Sequence, residues 1–75
     1  MNRLPQVTPR QLLRALERTG FRVVRSRGSH HFLEHGSDPT RWTVIALHSG
    51  DIPAGTLRDI LRQVRMSREE FLDAL

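Results

Sequence analysis

Histidine and arginine crowd one short stretch of this 75-residue chain, Gly20-Phe21-Arg22-Val23-Val24-Arg25-Ser26-Arg27-Gly28-Ser29-His30-His31-Phe32. An imidazole exchanges a proton near neutral pH, and a guanidinium fork grips two phosphate oxygens at once. These are the groups a site for holding or cutting a phosphodiester requires. Ser29 adds a hydroxyl that can reach a phosphate oxygen or orient His30, although a serine after a glycine also serves plain turn chemistry.

Four histidines raise the question of a metal. In a strand, successive side chains alternate between faces, so His30 and His31 point opposite ways. His31 and His35 share a face but stand roughly 13 Å apart at about 3.3 Å per residue, too far for two ligands of one zinc. No His-x-x-x-His pair falls on a helix, cysteine is absent, and Asp38 sits in a turn. No metal and no other cofactor is expected, and His31 and His35 are read as ordinary hydrogen-bonded side chains.

His30 is different. It follows the tight turn at Gly28, where the missing side chain lets a phosphate approach closely. A histidine on the strand after such a turn is rigidly held yet reachable, as a general acid or base must be. RNA carries its own nucleophile in the 2′-hydroxyl, so metal-free cleavage needs proton transfer and stabilisation of the charge developing on the phosphate. His30 is the candidate catalyst, with Arg25, Arg27 and Arg22 as phosphate ligands. Nothing places Asp38 or Asp51 behind a histidine, so no Ser-His-Asp arrangement is read. His48, in a later loop, is a possible auxiliary whose plainer role is a loop-capping hydrogen bond. Trp42 can stack on a base, but the one tryptophan of so small a domain is expected in the core.

Composition sets the frame. Seventy-five residues make one domain that buries roughly 60 to 65% of its unfolded surface. Without cysteine, neither disulfides nor thiolate zinc can support the small core. No apolar run approaches a membrane span, and Met1-Asn2-Arg3-Leu4-Pro5 lacks the apolar stretch of a signal peptide, so a cytoplasmic protein without membrane contact is expected. The net charge is +4, and all twelve basic residues are arginine, which favours an anionic partner. A GC-rich coding sequence also yields arginine over lysine. Position is the better argument: Arg22, Arg25, Arg27 and Arg41 flank the histidines or the next strand, while Asp59, Glu69, Glu70 and Asp73 gather toward the end of the chain.

The elements that carry these residues follow from local signals. Thr8 as N-cap, Pro9 in the first turn and Leu12, Leu13 and Leu16 on one stripe predict a first helix closed by Gly20. Val23 and Val24 before Gly28 predict a strand from Phe21 to Arg27 and a second from Ser29 to His35. Gly36-Ser37-Asp38-Pro39 reads as a turn, and Arg41 to Leu47 as a third, more buried strand. Leu57, Ile60, Leu61 and Val64 form a helical stripe, and Ser67 with Glu70 caps a last short helix turning Phe71, Leu72 and Leu75 inward. Met1 to Val7 and Gly36 to Thr40 are the segments left open to motion. The fold class is α+β, with helices packed on one face of a three-stranded antiparallel sheet and the other face open.

The succession Gly20-Phe21, Arg25-x-x-Gly28-Ser29-His30, a strand closing in Leu47-His48, Gly55-Thr56-Leu57-x-x-Ile60-Leu61 and Glu70-Phe71-Leu72 resembles the HicA toxin family of type II toxin-antitoxin systems, from about Pro9 to Leu75. The resemblance implies a double-stranded-RNA-binding-domain-like fold and an endoribonuclease that cleaves messenger RNA. It implies that the histidine of the Gly-Ser-His motif, His30 here, is catalytic, and that a HicB antitoxin covers it. Ala46 stands where members often carry a proline, a departure that concerns strand geometry and bears on the placement of His48. Two other readings stand beside this one: a non-catalytic RNA-binding module of the same fold, and an interaction protein whose open face serves a partner.

Overall fold

The computed structural model describes residues 3–75; Met1 and Asn2, part of the segment read above for a signal sequence and for motion, lie outside it. Thr8 and Gln11 form a reciprocal capping box, and Pro9 occupies the first turn, so helix α1 starts where these residues dictate and runs Pro9–Arg18. It buries Leu12, Ala15 and Leu16. Gly20 follows with φ of 99°, and the chain turns into strand β1, Phe21–Arg27.

Strand β2 spans His30–His35 and strand β3 Asp38–Ala46, giving an antiparallel sheet in the order β1-β2-β3. Gly28, at φ of 59°, makes the first turn. The turn before β3 is shorter than the sequence suggests, since only Gly36 and Ser37 lie outside strands. The ladder then skips a stretch, because His35 pairs with Asp38 while Glu34 pairs with Trp42. Pro39 is tolerated there because β3 is an edge strand and Pro39 has no partner in the ladder. Asp38 accepts from the Thr40 amide at 3.1 Å and its hydroxyl at 2.6 Å, and Arg65 Nη2 donates to the same carboxylate at 2.9 Å. The segment from Gly36 to Thr40 is thus tied in place rather than open.

Helix α2, Ala54–Gln63, turns Leu57, Ile60 and Leu61 onto the sheet, and Val64 just beyond it is fully buried. Helix α3, Arg68–Ala74, begins at the Ser67–Glu70 capping box as read. Its inward residues are Phe71 and Ala74; Leu75, expected inside, is 44% exposed because the helix ends before it. Arg18 Nη1 donates to the Ala74 carbonyl at 2.8 Å, which joins the last turns of α1 and α3.

Phe21, Leu33, Thr43 and Ile45 face the helices, and together with the helical stripes they form the core. Val7 also belongs to it and accepts the Ile52 amide at 2.8 Å, so the entry segment is anchored at its last residue. Thr43, the one buried polar side chain among the described residues, donates to Gln63 Oε1 at 2.7 Å. Among the described residues, no helix is long and apolar enough to cross a membrane.

Candidate functional site

The open face can be read from the strand register. Arg27, His30 and Ala46 form one cross-strand row, Arg25, Phe32 and Val44 the next, and Arg22, Glu34 and Trp42 the third. A bulge at Val24 keeps the rows aligned: Val23 pairs with Leu33 toward the core, then Arg25 pairs with Phe32 on the open side. Alternation alone would have sent Arg25 inward. The bulge instead sets Arg22, Arg25 and Arg27 in one column along the β1 edge.

His30 is exposed on this face, with Arg27 directly across, a separation of about 4.5 to 5.5 Å between Cβ atoms. It lines a cleft of 460 Å³ at the free edge of β3, together with Ala46, His48, Pro53 and Thr56. The structure therefore brings His30 and His48 to one concavity. His48 Nδ1 lies 2.8 Å from the Ser49 carbonyl, which can only accept, so Nδ1 carries the proton and Nε2 is the basic nitrogen of the neutral ring. The loop-capping role read for His48 is thus present, and it fixes the tautomer.

Ser29 sits in the turn rather than in the strand, and its carbonyl accepts the Leu47 amide at 2.8 Å, pinning the β1-β2 turn to the end of β3. Among the described residues its hydroxyl has no protein partner. Arg25 lies one row from His30, its guanidinium carbon 4.4 Å from the Phe32 ring centroid. Arg22 lies two rows away, roughly 13 Å along the strands, so it does not join His30 at one phosphate. Arg41 belongs to the opposite face, where its Nε donates to the Val64 carbonyl at 2.7 Å and its fork lies over Phe21.

The other histidines take structural places. His31 Nδ1 bonds the Ser29 carbonyl at 3.2 Å. His35 packs edge-on against Phe21 with centroids 5.0 Å apart, and its Nδ1 accepts the Ser37 amide at 3.1 Å. Among the described residues no carboxylate is hydrogen-bonded to a histidine, and no three His, Asp or Glu side chains come together in a way that could hold a metal ion. The carboxyls held below their ordinary range are Asp38, chiefly by its Thr40 hydrogen bond, and Glu70, chiefly by the Ser67 amide. Neither lines the His30 cleft.

Two features of the site escaped residue-by-residue reading. Thr56, in the first turn of α2, lines the His30 cleft, and the run Gly55-Thr56-Leu57 was the available signal. Trp42, expected in the core, is 54% exposed on the open face. Its strand position is opposite in parity to Thr43 and Ile45, which are the buried ones.

A helix, a three-stranded antiparallel sheet, a second helix and a short third one, with an exposed histidine beside arginines, make an α+β domain consistent with the double-stranded-RNA-binding-domain-like fold. The family model of the HicA toxin of bacterial toxin-antitoxin systems matches residues 9–66, and the chain belongs to this family. No curated protein matches it.

Proposed function

We propose that this HicA-family chain is a metal-independent endoribonuclease that cleaves messenger RNA, with His30 as general acid or base. The observation that carries the reading is His30 itself, exposed beside Arg27 on a rigid strand and sharing a cleft with His48. In the reaction, the 2′-hydroxyl oxygen forms a bond to the adjacent phosphorus as its proton passes to a base. The bond from phosphorus to the 5′-oxygen then breaks, and that oxygen takes a proton from an acid. The products are a 2′,3′-cyclic phosphate and a 5′-hydroxyl.

His30 fills one of the two proton-transfer roles, and His48 Nε2, freed by the Nδ1 hydrogen bond, is suited to the other. Arg27 and Arg25 neutralise the phosphate, and the Ser29 hydroxyl donates to a non-bridging oxygen. Arg22 holds a more distant phosphate. Inhibition by a HicB-type antitoxin follows if that partner covers His30 on the open face.

Cleavage of an end-labelled transcript by the purified chain tests this. Products ending in 2′,3′-cyclic phosphate, formed at full rate in excess chelator, are expected. Hydrolysis leaving a 5′-phosphate, or a strict need for added divalent metal, would overturn the mechanism.

A further inference from the structure

The open face carries a second concavity, away from His30. A cleft of 580 Å³ is lined by Val24, Arg25, Phe32, Glu34, Pro39 and Trp42. Trp42 is the chain's one tryptophan and Val24 is 47% exposed, so the largest aromatic of the domain stands in water beside another apolar side chain. Phe32 is the diagonal neighbour of Trp42, about 7 to 8 Å away by strand geometry, and Arg25 spreads its planar cation over the Phe32 ring. The result is a slot with an indole on one side and a guanidinium-capped ring on the other.

We infer that this slot is a stacking subsite for an unpaired nucleobase of single-stranded RNA, one to two cross-strand rows from His30, with Trp42 and the Arg25–Phe32 pair as its walls. The inference rests on the reading that the chain acts on RNA. Flat aromatic and guanidinium surfaces bind the π-faces of splayed bases, whereas a duplex keeps its bases stacked on one another and cannot fill the slot. Charge agrees with this occupant: Arg22, Arg25 and Arg27 form a column on β1, and among the described residues none of them is in an ion pair. The phosphodiester backbone runs along that column toward His30, and the bases lie across β2 and β3. Glu34 sits between Arg22 and Trp42 in its row, where its charge keeps phosphate off the indole and its oxygens accept base N–H groups.

Because Trp42 is the sole tryptophan, its fluorescence reports the slot directly. The test uses the full chain carrying His30→Ala, titrated with a single-stranded oligoribonucleotide and with the duplex of the same sequence. The single strand is expected to quench Trp42 and to bind more tightly than the duplex. Adding Trp42→Ala is expected to weaken single-strand binding about 5- to 150-fold, read by oligonucleotide anisotropy, without changing its salt slope, while Trp42→Phe restores most of the affinity. Arg22→Ala is expected instead to lower the salt slope by about one. Unchanged single-strand affinity in Trp42→Ala, or quenching only by duplex, overturns the subsite. Loss of binding to a co-expressed antitoxin with RNA affinity intact overturns it too and makes the slot a protein interface. All these readouts are of binding, so they stand or fall separately from the cleavage chemistry.

Discussion

Gly20→Ala is expected to destabilise the domain by about 2–5 kcal/mol, and His35 is the reason. At φ of 99° the backbone of Gly20 lies where an L-residue is strained by about 1–2 kcal/mol. A Cβ there would also stand 2.8 Å from His35 Nε2, so the ring must move. Moving it forfeits the edge-on contact with Phe21, about 0.5–1.5 kcal/mol, and the hydrogen bond from Ser37, a similar amount. A domain of this size has roughly 4–11 kcal/mol of stability, so much of it goes. Far-UV circular dichroism melts should show a Tm lower by about 8–40 °C at some 4–8 °C per kcal/mol. In a His35→Ala background the ring is gone, and the same substitution should cost only the backbone strain. A Tm drop below about 3 °C, or equal costs in both backgrounds, would refute this account.

Three further outcomes follow from the packing. Phe71→Ala should cost about 3–5 kcal/mol and truncation after Met66 should abolish the cooperative melt, because α3 inserts a fully buried Phe71 into the core although it lies beyond the family match. Arg41→Ala should lower the urea midpoint by the equivalent of about 1–3 kcal/mol, leaving the buried Val64 carbonyl without its donor, while activity per folded molecule stays unchanged. The Asp38 and Glu70 carboxyls titrate lower in the folded chain than in the unfolded one, so their stabilisation is full above the unfolded values and fades as pH falls through the folded ones. Chemical denaturation should therefore show a decline below about pH 4, and Asp38→Asn with Glu70→Gln should lower the neutral plateau and flatten that decline.

Local signals were strong enough in the sequence to set α1, the β1-β2 hairpin and the caps of α3, because each depends on a few adjacent residues: Thr8 and Gln11, Gly28, Ser67 and Glu70. The separation of His30 from His31 was legible for the same reason, since it needs only the twofold period of a strand. What escaped depends on pairing across the sheet. The bulge at Val24, which turns Arg25 to the open side, and the slipped register before Trp42 are set by partners on β2. Trp42 therefore read as core from composition and stands in water, and Leu75 read as inward although α3 stops one residue short of it. The meeting of His30 and His48 needed the end of β3 folded against the Gly28 turn, a contact the chain order does not reveal.

The most direct test of the central claim is turnover of a labelled transcript by His30→Ala beside the unaltered chain, each checked by its melt and its RNA affinity. Cleavage should slow by about 10²–10⁴-fold or more, with Tm and binding nearly unchanged, since the His30 side chain is exposed and, among the described residues, makes no hydrogen bond. Cleavage at the full rate by the folded variant would contradict it.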